Sequence, residues 1–300
     1  MWRFVQISDP HLASKTDGMW NNGFLCSMMP DVMACLKRDF AQLNPDFILA
    51  TGDIVSTQTH QAMHEARDQM DQLGFPYYPM GGNHDFVVEE SRDWFLEAFA
   101  HQLPVQSTVY NFKHNNLHFL VLDPWWKWGD DSLHPVSEKT IAAEMETSLA
   151  GARWEIPQEQ LDWIDATLAA DPHTPAIIAC HYPLVPIPER LHRPDFKNGG
   201  YIHNGEEVCT RLRKHAQVKA VFSGHVHMHF IQEHHGLTHV CTGALPEFPT
   251  EYRSIEVTDD TLHIQTHPLS DPQFAQRSLI PGKDWTRGEA QDREVTINLT

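Results

Sequence analysis

Three hundred residues with 41% hydrophobic content can fill a sizeable core, as two domains or as one large α/β unit. A formal net charge of −18 argues against nucleic acid or an anionic membrane as partner, since both call for basic patches, and no apolar run is long enough to span a bilayer. The five cysteines, Cys26, Cys35, Cys180, Cys209 and Cys241, are odd in number and form no CxxC pair, so a reduced, cytoplasmic setting is expected.

The chain reads as alternating strands and helices. Residues 2–8 predict a strand, with no basic stretch and apolar run ahead of it to suggest a signal peptide. Val32, Leu36, Phe40 and Leu43 predict a helix over 31–43, with Asp31 as N-cap and Pro45 as its end. Residues 47–50 are an unbroken apolar run, a buried strand leading to Gly52-Asp53. Met63, Met70 and Leu73 predict a helix over 60–73, and residues 76–80 lead into a Gly81-Gly82 turn. Residues 117–122 predict a strand ending at Asp123, Leu161, Ile164 and Leu168 a helix over 158–169, and residues 176–180 a strand delivering His181. A helix over 205–216 and a strand over 219–222 precede Gly224, after which hairpins take over. Residues 124–157 open Pro-Trp-Trp-Lys-Trp with few regular signals and are expected to form a lid or a packing excursion. Residues 1–270 read as the catalytic body, and the polar 271–300 as a tail that lies on it or makes an oligomer contact.

Five polar clusters stand where these strand-like runs end: Asp9-Pro10-His11, Gly52-Asp53, Gly82-Asn83-His84-Asp85, His181 and Gly224-His225-Val226-His227. Loops at strand ends sit on a rigid base and open to solvent, so such clusters can converge on one cleft. Asp9 and His11 are two apart, which on an extended backbone puts both side chains on one side; His225 and His227 repeat that spacing. Gly52 permits a sharp turn that points Asp53 back into the cleft. A carboxylate using both oxygens can bridge two ions roughly 3.5–4 Å apart, the spacing used for in-line displacement at phosphorus. Each cluster alone is ordinary: Asp-x-His is common surface sequence, Gly-Asp is usually a turn, and a histidine after an apolar strand is more often a packed core residue. Together they supply two carboxylates, four imidazoles and an amide oxygen, the set a dinuclear metal hydrolase of phosphate esters needs. His84 is left over for chemistry.

As a set, these motifs resemble the calcineurin-like metallophosphoesterase superfamily, and within it the class III cyclic-nucleotide and glycerophosphodiester phosphodiesterase branch. They span residues 9–227. The resemblance implies an α/β fold, a four-layer α/β/β/α sandwich with two mixed β-sheets and a dinuclear site at the mouth between them. It also implies that Asp9, His11, Asp53 and His227 hold one metal ion, and that Asn83, His181 and His225 hold the other with Asp53 as bridge. His84 would then be a catalytic acid or phosphate contact that binds no metal, with Asp85 orienting it. Two departures narrow the choice. Protein Ser/Thr phosphatases of this superfamily follow Gly-Asp with Asp-Arg-Gly, where this chain has Ile54-Val55-Ser56-Thr57. Purple acid phosphatases place a ligating Tyr three residues after the Asp, where this chain has Ser56.

The expected cofactors are two divalent metal ions, iron or manganese first and zinc as an option. Their four charges, less Asp9, Asp53 and a bridging hydroxide, leave the site about one unit positive, which draws a diester anion to an acidic protein. The hydroxide attacks phosphorus in line while His84 protonates the leaving alkoxide. Small phosphodiesters of cyclic-nucleotide or glycerophosphodiester type are the expected substrates. The alternative is a small-molecule phosphomonoesterase, and the contrasting class an inactive scaffold on the same fold. No membrane or nucleic-acid partner is expected, and a homo-oligomer is left open. Trp125, Trp126 and Trp128 read as a nucleobase platform or as packing, and Tyr201, His203 and Asn204 as a cap on the cleft or a turn before a helix. Cys180 and Cys209 read as buried thiols.

Overall fold

The computed structural model describes residues 1–56, 59–128, 132–135, 137, 152–193 and 200–300. Its strands are β1 (Trp2–Ile7), β2 (Gly18–Met19), β3 (Gly23–Phe24), β4 (Phe47–Ala50), β5 (Tyr77–Pro79), β6 (Tyr110–His114), β7 (Leu117–Leu122), β8 (Trp125–Trp128) and β9 (Ser132–His134). They continue with β10 (Ala152–Glu155), β11 (Ala176–Cys180), β12 (Val218–Ser223), β13 (Phe230–His234), β14 (Leu237–Cys241), β15 (Glu251–Val257), β16 (Thr261–Pro268) and β17 (Glu294–Asn298). Two mixed six-stranded sheets carry the architecture, in the orders β17-β16-β15-β1-β4-β5 and β13-β14-β12-β11-β7-β6. The first is parallel across β1, β4 and β5; the second is parallel across β7, β11, β12 and β14.

Side-chain alternation along the strands sorts the core into layers. In β7, Phe119 and Val121 face the other sheet, whereas Leu120 and Leu122 join the helix-side cluster; Phe222 and Val221 split the same way in β12. Between the sheets Phe4 and Phe47 stack at 5.0 Å, and each meets Phe119 edge-on at 5.4 and 5.5 Å. Helices Met29–Leu43, His60–Asp71 and Ser91–Ala98 pack on the first sheet through Leu36, Phe40, Met63 and Phe95. Helices Gln158–Ala170 and Gly205–Leu212 cover the second through Leu161, Ile164, Val208 and Leu212. The result is the expected α/β/β/α sandwich.

Differences from the sequence expectation are local. The first helix begins at Met29 because Pro30 fits its first turn, where a missing N–H costs nothing; Asp31 lies inside that turn and caps nothing. Helix Gly205–Leu212 stops well before residue 216, and its end tightens into a turn with His215 N–H on the Leu212 carbonyl. Helix Ser91–Ala98 and strand β6 are too short to give a periodic signal. Within 124–157 the described residues form a three-stranded ribbon, β10-β8-β9, while residues 129–131, 136 and 138–151 lie outside the description. Within 271–300, helix Gln273–Ser278 follows the body, and β17 extends the first sheet by pairing antiparallel with β16. No helix among the described residues is long and apolar enough to cross a membrane.

Candidate metal centre

The five clusters leave the C-terminal ends of β1, β4, β5, β11 and β12, strands that are parallel within each sheet, so they emerge on a common edge. Backbone bonds knit the loops together: Asp9 N–H to the Gly52 carbonyl at 3.0 Å, His11 N–H to Asp53 O at 3.0 Å, and Gly224 N–H to His181 O at 2.9 Å. The backbone here is not extended, contrary to the sequence reading. Asp9, His11, Asp53, His225 and His227 all have left-handed φ, between 45° and 70°. Non-glycine residues rarely adopt that region, and it clusters where a functional site over-determines the backbone. It turns paired side chains into different directions, which sends His227 and His225 into different groups of ligand atoms. Glycines give the approach: a Cβ on Gly82 would collide with the Asp53 carboxylate, and one on Gly224 with Ser8 and Asp9.

Asp9, His11, Asp53 and His227 bring ligand atoms within 4.8 Å of one another, and Asp53, His181 and His225 form a second such set. Asp53 is common to both. Its Oδ2 lies 3.7 Å from His11 Nε2 and 3.3 Å from His181 Nε2, while Oδ1 accepts the His84 amide N–H at 2.8 Å. One oxygen faces both sets and the other pins the Asn83-His84 turn. His227 Nε2 is 3.3 Å from Asp9 Oδ1 and 3.4 Å from His11 Nε2.

Second contacts aim the rings. His181 Nδ1 is fixed by the Thr51 carbonyl at 2.7 Å, which turns Nε2 into the site. His227 Nδ1 meets Glu247 Oε2 at 2.9 Å, and Glu247 is fully buried. Glu247 carries no signal in the sequence beyond being an acid in an otherwise apolar stretch, Ala244-Leu245-Pro246-Glu247-Phe248. Asp85 corrects another expectation. Its carboxylate accepts from the backbone N–H groups of Ile54, Val55 and Gly82 at 3.2, 2.9 and 2.8 Å and makes no bond to His84. It therefore ties the Asp53 loop to the Asn83 loop. His84 itself stands with its ring 4.8 Å from that of His11.

The carboxylates and two of the imidazoles hold one another in their charged forms. Burial alone would raise the Asp9 and Asp53 carboxyls, but the imidazoles around them, His181 foremost, hold both below the usual carboxylate range. Burial opposes charge on His181 and His227, yet Asp53 and Asp9 raise the first to about 9, and Asp9 and Glu247 raise the second to about 10. Burial pushes His11 and His225 down to about 3, and burial together with Asp53 pushes Asp85 up to about 7. Cations fit this donor set. His181 Nε2, Asn83 Oδ1 and His225 Nδ1 are buried with no hydrogen-bond partner, a costly arrangement unless something binds there. Oxygen and imidazole donors around two fully buried carboxylates suit borderline-to-hard divalent ions.

The family model described as calcineurin-like phosphoesterase matches residues 3–229. The chain belongs to that family. A probable cyclic nucleotide phosphodiesterase of Synechococcus sp. is 26% identical over 85% of this chain and 88% of its own length. The 3',5'-cyclic adenosine monophosphate phosphodiesterase CpdA of Haemophilus influenzae is 24% identical over 81% and 76%. A probable glycerophosphodiester phosphodiesterase GpdQ of Arcobacter nitrofigilis is 26% identical over 74% and 71%. Among solved structures, a dimetal phosphatase from Danio rerio superposes with a TM-score of 0.71 at 16% identity, covering 100% of this chain and 99% of that one, a likeness of fold.

In this calcineurin-like chain the remaining sequence-predicted residues divide by burial. Trp126 is buried against Trp154 at 4.5 Å, and the half-buried Trp154 packs on Tyr182 at 4.4 Å, so Trp126 is packing and no platform. Trp125 is half-buried; the side chain of Trp128 lies outside the description. Asn204 exchanges both amide bonds with the backbone of Ile156 at 3.0 and 2.9 Å, which makes it a brace for the turn before helix Gly205–Leu212. His203 contacts Arg153 at 3.0 Å, and Tyr201 is exposed. All five cysteines are buried free thiols. The aromatic residue missed in the sequence is Trp20. It stands with Met19 on the β2–β3 ribbon, beside Phe24, which stacks on the His227 ring at 5.6 Å.

Proposed function

We propose that the chain is a dinuclear metal-dependent phosphodiesterase for small phosphodiesters, of cyclic-nucleotide or glycerophosphodiester type. One observation carries the reading: two sets of ligand atoms share the Asp53 carboxylate, and His84 stands beside them in the same cavity. Asp9, His11, Asp53 and His227 would hold one ion, and Asp53, Asn83, His181 and His225 the other, with iron, manganese or zinc as candidates. Two bound ions would supply a nucleophile from water at neutral pH and neutralise charge on the phosphoryl oxygens.

The cavity of about 210 Å³ is lined by His11, Asp53, Asn83, His84, His225 and His227 on one side and by Gly18, Met19, Trp20 and Phe24 on the other. His84 is the proton donor. As a water oxygen bonds to phosphorus and one ester P–O bond breaks, the protonated His84 ring gives its proton to the leaving alkoxide. The attacking water loses a proton to solvent, from which His84 is protonated again. Phe24, Met19 and Trp20 make one flank of the cavity apolar.

Charge favours a diester. No Lys or Arg is among the described residues that line the cavity; Arg92, which follows the Gly-Asn-His-Asp turn, pairs with Asp123 at 3.0 Å, and Lys127 of the Trp-rich segment pairs with Glu155 at 3.3 Å. Phosphomonoester dianions are commonly held by such cations. The metal-loaded protein should therefore give a higher kcat/KM on bis(p-nitrophenyl) phosphate than on p-nitrophenyl phosphate. A monoester advantage above about tenfold, ~1.4 kcal/mol at the transition state, would replace this reading with the phosphomonoesterase one. Cyclic nucleotides and glycerophosphodiesters tested alongside rank the natural substrate classes.

A further inference from the structure

Away from the catalytic cavity, helix His60–Asp71 carries two histidines one turn apart, His60 and His64. That i, i+4 spacing places two imidazoles side by side on one helix face, an arrangement that can chelate a metal. Glu97, near the end of helix Ser91–Ala98, reaches across to both of them. His60 Nε2 lies 3.1 Å from Glu97 Oε2, His64 Nε2 lies 3.5 Å from Glu97 Oε1, and the two Nε2 atoms are 3.2 Å apart.

One ligand atom from each of the three side chains lies within 4.8 Å of the other two. A chain of hydrogen bonds would give each ring nitrogen one partner, but here each Nε2 faces the other nitrogen and the carboxylate at once. Three donors around one ion, with metal–ligand distances of about 2.0–2.1 Å in a tetrahedron, lie about 3.4 Å apart along each edge. The nitrogen–nitrogen separation of 3.2 Å, and the 3.1 and 3.5 Å from each ring to its own Glu97 oxygen, are near that figure. The rings are also held from outside. Thr59 caps the helix by accepting from Ala62 N–H at 3.1 Å, and Trp94 packs edge-on against His60 at 5.9 Å.

We propose that His60, His64 and Glu97 form a third metal site, for Zn²⁺ or an ion of similar softness, with water completing the coordination. Two imidazoles and one carboxylate favour such an ion over Mg²⁺ or Ca²⁺, which ask for more oxygens. The side chains of His60 and Glu97 are 49% and 60% exposed, so the ion enters directly from solvent. Its placement gives it a mechanical consequence. Helix His60–Asp71 follows the loop that carries Asp53, and helix Ser91–Ala98 follows the loop that carries Asn83 and His84. An ion joining the two helices braces both loops from behind. A second exposed grouping among the described residues, Glu206 with His234 and His235, likewise gives one carboxylate oxygen to each ring, at 2.9 and 2.6 Å.

The experiment is zinc binding by the full chain, with the catalytic centre loaded first. Bound zinc is counted by equilibrium dialysis and elemental analysis for the wild type, His64→Ala and Glu97→Gln, and the ion is located by anomalous diffraction at the zinc edge. The wild type should take up one zinc per chain more than His64→Ala, with an anomalous peak between the three side chains, and Glu97→Gln should bind that zinc at least tenfold more weakly. At about a hundredfold excess over its Kd, zinc should raise the Tm of the wild type by about 5 °C and leave that of His64→Ala unmoved. Any uptake at Glu206 is common to all three proteins and cancels. Equal zinc counts in wild type and His64→Ala overturn the site. A counted zinc that leaves amide hydrogen exchange in the loops carrying Asp53 and Asn83 unchanged overturns the brace.

Discussion

Glu247 Oε2 lies 2.9 Å from Nδ1 of His227, and the carboxylate is wholly removed from solvent. Its other oxygen accepts from the Asn22 backbone N–H, so the group is anchored on the side away from the site. A carboxylate behind a ligating imidazole fixes its tautomer, raises its basicity and aims the opposite nitrogen. Glu247→Gln keeps the shape and weakens all three. Metal affinity should fall about 10- to 100-fold, read from competition with a chelator, while the far-UV spectrum stays unchanged. Affinity equal to that of the wild type would mean that His227 needs no orienting partner.

Asp53 and His84 touch each other, but their losses should look different. Asp53→Ala removes the one group common to both ligand sets and should deplete both ions in elemental analysis. His84→Ala removes a ring that neither ligand set includes, and should leave metal content near normal while kcat falls by about 10²–10⁴. If His84→Ala strips metal, the ring is a ligand and no proton donor.

Protons and metal compete for the same atoms. Without ions, His181 and His227 titrate at about 9 and about 10, so both are charged at pH 7 and must lose a proton before they can ligate. The sign follows: metal affinity should rise as pH rises toward about 10, because each unit lowers the cost of deprotonation. Metal uptake at pH 7 should release about two protons per chain, measurable by calorimetry in buffers of different ionisation enthalpy. Uptake without proton release would show that the two rings are neutral in the metal-free fold.

The strands that end at Ala50 and Cys180 were legible because four or five consecutive apolar residues are hard to place anywhere but in a doubly covered sheet. That Asp9, His11, Asp53, His181, His225 and His227 would come together, with Asn83 in the same cavity, was legible because each follows the end of a strand-like run. How they converge was not. The left-handed backbone at Asp9 and His227 is set by contacts between loops more than two hundred residues apart, such as His225 N–H on the Asp9 carboxylate at 3.0 Å, and no local pattern encodes these. The role of Asp85 was misread for the same reason: His84 adjoins it in sequence, but two of its three partners in space are the amides of another loop. Glu247 is invisible at the sequence level because a single buried acid has no period.

Trp20 and Met19 are 65% and 70% exposed at the tip of the β2–β3 ribbon, and both line the cavity that holds the ligand atoms. Water-exposed apolar side chains beside a polar site are what a substrate with a planar or apolar leaving group can cover. Stacking of an aromatic ring on a tryptophan contributes about 1–3 kcal/mol when measured by alanine substitution. Trp20→Ala should therefore lower kcat/KM about 5- to 150-fold for aryl and nucleoside diesters, mostly through KM, because the contact is made in ground state and transition state alike. For a small alkyl diester such as a glycerophosphodiester, which has no face to stack, the same variant should lose no more than about threefold, ~0.7 kcal/mol. The fold should be unaffected, since the side chain is mostly in solvent. Equal losses on both substrate kinds would place Trp20 outside leaving-group recognition and reduce it to a wall of the cavity.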